Sequence, residues 1–282
     1  MPPQATIRGY ELLERIGAGA ESVIYRAKED DGGRIVAIKH LAVDLPENYK
    51  YLRHVCNEYK VLRTLHGGKD GAMPGVVAVH RLMRWGFLRR RKQAALVMQH
   101  LEGMDMRRER RYPLGQMVHI ITGVAKTLAL IHARGYIHGD LKPENIVVDP
   151  SGTPTMVDFG FSCPAGSNPG TIRGTRDYMA PEQVDMKPLT ERTDVYNLGA
   201  TMYFLFAGRH VPALIAQPGD ETLFISGRGM VETPSLQQFN ASIPAPLDTL
   251  VLRCVKKDPL ERPSCAEEVR EGLENVIKRY FS

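Results

Sequence analysis

The chain has 282 residues, of which 43% are hydrophobic and 24% are charged, and its formal net charge is +5. This length is too great for one small core and indicates one large domain or two lobes. The charge suits an anionic ligand but is too mild to indicate a nucleic-acid-binding protein. The four cysteines are widely spaced without a CxxC pair, which predicts free thiols in a reducing compartment and a cytoplasmic location.

The first hundred residues are predicted to be mainly β. Two strands surround a glycine-rich turn, GAGAESV at 17–23, and a third strand at 34–41 contains VAIK at 36–39. A helix is expected at about 49–65, because its apolar residues recur at helical spacing. Glu58 is expected on the polar side of this helix. Two more strands are expected near 76–85 and 94–99.

After Gly103 the pattern changes to helices, expected at 114–134, 194–206, 247–256 and 265–280. Only short strand pairs interrupt them, around the sequence HGDLKPEN at 138–145. The prediction is a single α+β domain with a β-rich lobe (1–98), a linker (99–103) and a helical lobe (104–282).

No secretion signal and no membrane span are expected. The first residues lack a basic region followed by an apolar run. The longest apolar stretch is estimated at 198–208, roughly 11 residues, whereas a spanning helix needs about 20.

The segment HGDLKPEN carries the chemistry of the chain. It holds an acid that can take a proton (Asp140), a fixed cation (Lys142) and an amide (Asn145), and Asp158 follows in DFG. Phosphoryl transfer requires such a set. Alone, each motif is open to other interpretations. The segment could be a polar loop, and the glycine-rich turn could be a plain hairpin or a dinucleotide-binding loop, although the latter should open a helix rather than a strand.

Together and in this order, the motifs resemble those of the eukaryotic-like protein kinases, in their serine/threonine branch. The resemblance extends from about Tyr10 to Tyr280 and suits the compact kinases of bacteria. It implies a bilobal kinase fold and transfer of the γ-phosphate of ATP, with Mg²⁺ or Mn²⁺, to Ser and Thr hydroxyls of proteins, including the chain itself. The form LKPEN is typical of the serine/threonine branch.

The resemblance also implies roles for individual residues. Lys39 would contact the ATP phosphates and pair with Glu58, Asp140 would accept the proton of the substrate hydroxyl, and Lys142 would neutralise the moving phosphoryl group. Asn145 and Asp158 would bind the metal. The implied nucleotide-binding residues are Ile16, Gly17, Gly19, Val23, Ala37, Lys39, Met98, Gln99, Leu101, Asp105 and Val147. Taken singly, the apolar residues among them also fit an ordinary core.

Three structural landmarks are implied as well. Thr175 would contact Asp140 and Lys142, Glu182 would form a buried ion pair with Arg262, and Asp194 would anchor the catalytic loop.

The chain departs from the family pattern at Gly139, where kinases often have an arginine that binds a phosphorylated activation loop. Its absence predicts activity that depends weakly or not at all on such phosphorylation. Three hydroxyls of the loop remain candidates for autophosphorylation, namely Ser162, Ser167 and Thr171. Cys163 is either redox-sensitive or, as favoured here, an ordinary small residue.

Substrate choice is nearly unreadable from the sequence. Phe204 lies where kinases that prefer basic peptides often have glutamate, although Glu144 remains available. Two basic clusters lie at 89–92 and 107–111. They either dock an acidic partner, a lipid or a nucleic acid, or they are ordinary solvated surface. The second interpretation is favoured. The expected partners are ATP and protein substrates, without nucleic acid, and the oligomeric state is open.

Two other functions compete with an active kinase. A pseudokinase-like scaffold that binds ATP would normally lack at least one of the catalytic groups, all of which are present. A small-molecule phosphotransferase would lack the complete GTRDYMAPE segment at 174–182, which shapes a peptide-binding surface.

Overall fold

A computed structural model describes residues 7–19, 22–43, 48–67, 72–86, 92–109, 112–212 and 233–282 of the chain. The chain forms two compact units. The first comprises Met1–Glu102 and Asp158–Gly160, and the second comprises Gly103–Val157 and Phe161–Ser282. The segment Asp158–Gly160 therefore belongs to the first unit, although in sequence it lies between the two parts of the second unit.

The first unit is an antiparallel sheet with one helix packed on it. Its strands, in spatial order β1-β2-β3-β5-β4, are β1 (Tyr10–Ala18), β2 (Ser22–Glu29), β3 (Ile35–Val43), β4 (Val79–Trp85) and β5 (Lys92–Gln99). The helix α1 (Tyr49–His66) packs against β3, β4 and β5. The strands are rich in β-branched residues, and Val36, Ile38 and Val97 form part of a fully buried core.

The second unit is mainly helical. Among the described residues its helices are α2 (Leu114–Ala133), α3 (Pro181–Val184), α4 (Glu191–Ala207), α5 (Ala245–Cys254) and α6 (Ala266–Tyr280). Its short strands are β6 (Met104–Asp105), β7 (Tyr136–Ile137), β8 (Ile146–Val148), β9 (Pro154–Met156) and β10 (Cys163–Pro164). They form two small sheets, β6-β8-β9 and β7-β10. The predicted α+β composition, strands before helices, is confirmed.

The helix α4 is central to the second unit, because α2, α5 and α6 all pack against it. It is buried on nearly every side, as its mixed apolar sequence allows. Gly199 is needed for one of these contacts, since a Cβ atom there would lie 2.5 Å from Cβ of Cys254.

The helix α2 is long and largely apolar. Among the described residues it is the single helix that is long and apolar enough to cross a membrane, with a mean hydropathy of 1.4. Half of the apolar window is buried inside the protein, and the helix packs against α4 and α6. The core helix of a globular domain has the same length and composition, so α2 is not a clear membrane span.

Several sequence predictions lie outside the described residues. They are Ala20 and Glu21 of the glycine-rich turn, Arg89, Arg90 and Arg91 of the first basic cluster, and Arg110 and Arg111 of the second.

Candidate active site

The first unit brings Lys39, Glu58 and Asp158 together. The ammonium group of Lys39, on β3, lies 2.8 Å from Oε2 of Glu58 and 3.0 Å from Oδ1 of Asp158. The predicted pairing of Lys39 with Glu58 is thus present. Glu58 lies on the buried face of α1 with 1% of its surface exposed, so the expectation that it lies on the polar side is wrong. A buried carboxylate requires such a partner, which explains its position.

Burial and charge act in opposite directions on these groups. Burial works against the charged form of Lys39, but the carboxylates of Asp158 and Glu58 outweigh it and raise the lysine pKa. Burial raises the pKa of Glu58, which Lys39 only partly offsets. Lys39 is therefore held as a cation, which suits a contact with phosphate.

The backbone at Asp158 is unusual. Its φ angle is +62°, a left-handed conformation that few residues other than glycine adopt. Such conformations persist where the surrounding structure enforces them, often at functional sites. Here Nδ2 of Asn57, on α1, donates to the carbonyl of Gly160 and holds the same segment. The observation supports a functional role for Asp158.

The predicted nucleotide-binding residues of the first unit lie on its strands and turns. Gly17 lies near the end of β1, and Gly19 directly follows the strand, where a Cβ atom would lie 2.8 Å from Oγ of Ser22. The N–H of Gln99 donates to the carbonyl of Ala78, so this donor is used within the protein. The remaining members are Ile16, Val23, Ala37, Met98 and Leu101, and their contacts with a nucleotide stay predictions.

In the second unit the catalytic loop gathers three predicted side chains. Oδ1 of Asp140 accepts from the N–H of Thr175 at 2.6 Å, and Oδ2 accepts from Nζ of Lys142 at 3.0 Å. Lys142 also donates to Oγ1 of Thr175 at 2.6 Å. The predicted contacts of Thr175 with both residues are confirmed. Nδ2 of Asn145 donates to the carbonyl of Asp140, which closes the loop.

Asp105 and Val147, the two nucleotide-binding predictions of the second unit, lie opposite each other in the β6–β8 pair. Oδ1 of Asp105 accepts from the N–H groups of Arg107 and Arg108 and thereby caps the turn after β6. The contact of Asp105 with a nucleotide stays a prediction.

Asp194 anchors the catalytic loop, as predicted. Its fully buried carboxylate accepts from the backbone N–H groups of His138 (2.7 Å) and Gly139 (2.8 Å). Nε2 of His132, on α2, lies 2.9 Å from Oδ2 of Asp194, a partner that sequence reasoning missed. Burial would raise the pKa of Asp194, but the hydrogen bonds from His132 and the loop outweigh it and lower the pKa.

Replacing Asp194 by asparagine is expected to destabilise the protein by about 2–3 kcal/mol, since charge-assisted hydrogen bonds are lost. The pKa of Asp194 is lower in the folded protein than its unfolded value of about 4, so its ionised form stabilises the fold above that pH. As the pH falls through the folded pKa, this contribution disappears. Urea unfolding at several pH values should therefore show the difference between wild type and variant shrinking below about pH 4. A difference that grows towards acid pH would contradict this account.

Gln183 is a second residue that sequence reasoning missed. It lies on α3, where its Nε2 donates to the carbonyls of Gly139 (2.8 Å) and Arg173 (3.0 Å). Asn197 on α4 donates to its Oε1. The side chain therefore ties the catalytic loop to the activation segment. It directly follows the recognised APE motif, but nothing in the sequence indicates which carbonyls it reaches.

The three candidates for autophosphorylation differ in their exposure to solvent. Ser162 is 2% exposed and donates to the carbonyl of His138, whereas Thr171 is exposed and Ser167 is half-buried. Ser162 is thus a poor phosphate acceptor in this conformation. Burial raises the pKa of the neighbouring thiol of Cys163, which favours its interpretation as an ordinary small residue.

The comparison with known proteins is consistent with this geometry. The family model described as protein kinase domain matches residues 10–272. The chain belongs to the protein kinase domain family. The β-rich first unit and the helical second unit of this kinase domain agree with the predicted kinase fold.

Several bacterial serine/threonine-protein kinases are similar to the kinase domain. PkaA of Streptomyces coelicolor is 32% identical over 95% of this chain and 50% of its own length. Pkn3 of Myxococcus xanthus is 29% identical over 95% of the chain and 50% of its own length. PrkC of Bacillus subtilis is 26% identical over 95% of the chain and 40% of its own length. The chain thus spans half or less of these curated relatives.

Proposed function

We propose that the kinase domain transfers the γ-phosphate of ATP to serine and threonine hydroxyls of proteins, and that it also phosphorylates itself. The observation that carries the proposal is the arrangement of Asp140, Lys142 and Thr175, held within 3.0 Å of one another. The names of the bacterial relatives support the choice of serine and threonine. The thiol pattern supports a cytoplasmic location for this domain.

Each catalytic residue has a chemical role in this proposal. Asp140 orients the attacking hydroxyl and accepts its proton. Lys142 places positive charge beside the phosphoryl group as it moves, and Lys39, kept in place by Glu58, holds the other phosphates. Positioning and electrostatic stabilisation supply most of the rate in such a site. No covalent intermediate with the protein is required.

The residues present fit a magnesium ion. Asp158 offers a carboxylate and Asn145 a carboxamide oxygen, and magnesium prefers oxygen donors of this kind. In the described part of the chain no group of three or more His, Cys, Asp or Glu residues forms a metal site. When bound, magnesium or manganese neutralises charge on the phosphates.

Incubation of the purified protein with γ-labelled ATP and Mg²⁺ tests the proposal. Label should appear on serine and threonine of the protein itself or of a generic protein substrate, as phosphoamino-acid analysis would show. Chelation of the metal should abolish this labelling. If the wild type transfers no more label than Asp140→Asn, a nucleotide-binding scaffold becomes the better interpretation.

Treatment with a phosphatase is expected to leave most of the kinase activity intact. Gly139 has no side chain with which to bind a phosphate, and Gln183 and Thr175 already hold the activation segment to the catalytic loop. Activity on a peptide should be measured before and after treatment, together with a Ser167→Ala/Thr171→Ala variant. A large loss of activity in either case would contradict the expectation.

A further inference from the structure

Beside the catalytic loop lies an ion pair that none of the roles above uses. Nε of Arg107 is 3.8 Å from Oε1 of Glu144, and each side chain is 41% exposed. Both residues belong to the second unit. The sequence left Glu144 available to a basic substrate residue and assigned Arg107 to a solvated surface. Both side chains are exposed, as those expectations require, but they also lie within ion-pair distance of each other.

Arg107 is held in place by an aromatic platform. Its guanidinium group lies 4.7 Å from the ring centre of Phe204, and the Phe204 ring stacks on His210 at 4.5 Å. Tyr178 meets both rings edge-on. Phe204 and Tyr178 are almost fully buried, so the platform is rigid. A guanidinium group over such a face is attracted to it, which restrains Arg107 next to Glu144.

The position of Glu144 gives the pair its functional meaning. Glu144 belongs to the short helical turn Pro143–Asn145, two residues after Lys142. Asn145 in the same turn donates to the carbonyl of Asp140. Tyr178 lies one turn beyond Thr175, whose N–H donates to Asp140. A polypeptide whose hydroxyl reaches Asp140 must therefore pass close to Glu144 and to the aromatic platform.

An exposed carboxylate in this place would attract a basic residue of the substrate. Arg107 already supplies the cation, so a second positive charge would gain little from Glu144 and would be repelled by the guanidinium group. We propose that Arg107 is a specificity-determining residue, which masks Glu144 and makes the kinase domain indifferent to basic residues beside the phosphorylated serine or threonine. The proposal rests on the function proposed above.

Peptides that differ only beside the acceptor serine test this proposal. One peptide has alanine on both sides, and the others carry a single arginine at successive positions. For the wild type, kcat/KM for the arginine peptides should equal that for the alanine peptide within about twofold. The measured quantity is the ratio of kcat/KM for an arginine peptide to kcat/KM for the alanine peptide. In Arg107→Ala this ratio should rise about three- to fivefold for at least one position, which is the gain that one exposed ion pair provides.

Three variants sharpen the result. Arg107→Gln keeps a long side chain without charge and should behave like Arg107→Ala, and the thermal midpoint shows whether each is folded. The double variant Arg107→Ala/Glu144→Gln should return the ratio to the wild-type value. Arg253→Ala removes an arginine from a comparably exposed pair with Glu268 on α5 and α6. It should leave the ratio unchanged.

The outcomes separate this proposal from the proposed function. An unchanged ratio in both Arg107 variants, with the alanine peptide still phosphorylated, overturns the masking role alone. A strong preference of the wild type for an arginine peptide also overturns it. If the wild type phosphorylates no peptide and no protein, the proposed kinase activity fails, and the masking role fails with it.

Discussion

Replacing Asp140 by asparagine is expected to lower kcat for phosphoryl transfer by about 10²–10⁴, the contribution of a positioned general base. The carboxylate of Asp140 is 3% exposed and accepts from Thr175 and Lys142, so its geometry is well defined. Asparagine retains an oxygen that can accept from the N–H of Thr175, but it cannot take up the proton of the substrate. The loop should therefore keep its shape while the chemistry is lost.

Three measurements accompany this comparison. The thermal midpoint and the affinity for ATP should change little, since the proposed nucleotide contacts belong to other residues. Asp149→Asn is a matched control, because Asp149 caps an exposed turn through Ser151 and Thr153 and is outside the proposed site. It should leave kcat unchanged. If Asp140→Asn keeps more than about a tenth of the wild-type rate, another residue accepts the proton.

Replacing Arg262 by alanine is expected to reduce the free energy of unfolding by about 3–5 kcal/mol, because a buried carboxylate loses its partner. Arg262 is 1% exposed and forms two hydrogen bonds with Glu182, at 2.7 and 3.0 Å. It also donates to three backbone carbonyls, those of Lys256, Lys257 and Arg192. The variant leaves the carboxylate and these carbonyls without the guanidinium group.

Urea unfolding measures this loss. Arg270→Ala is the control, since the half-buried Arg270 pairs with two glutamates of α6 whose side chains are exposed, Glu267 and Glu274. Exposed ion pairs contribute little, so the midpoint should hardly move. Glu182→Gln should be less harmful than Arg262→Ala, because it keeps an acceptor for the guanidinium group and removes no donor from the carbonyls. Equal stability of wild type and Arg262→Ala would mean that the pair is not a structural bridge.

The fold could be predicted largely from the sequence because its patterns are local. The strands and helices follow from residues close together along the chain, as the apolar spacing in α1 and α2 illustrates. The side of α1 on which Glu58 lies was predicted wrongly. Periodicity assigns a charged residue to solvent, whereas the partner that permits its burial, Lys39, lies on another element.

Contacts between distant segments could be predicted where both partners belong to a recognised sequence motif. The Glu182–Arg262 and Thr175–Lys142 contacts could be predicted because the motifs that contain them resemble a family pattern. His132 and Gln183 belong to no such motif. Their partners, Asp194 and Gly139, are 62 and 44 residues away, and only the packing of α2 and α3 brings them within hydrogen-bond distance.

By itself, the sequence determined the reaction class, since an acid, a cation, an amide and a second acid in a fixed order carry the chemistry of phosphoryl transfer. Only the tertiary structure decided what surrounds those groups. In the sequence nothing links Arg107 to Glu144 or to Phe204. The contacts of Arg107 with both residues depend on how a turn, the catalytic loop and α4 pack together. A charge is neutralised by its neighbour in space and not by its neighbour in the chain.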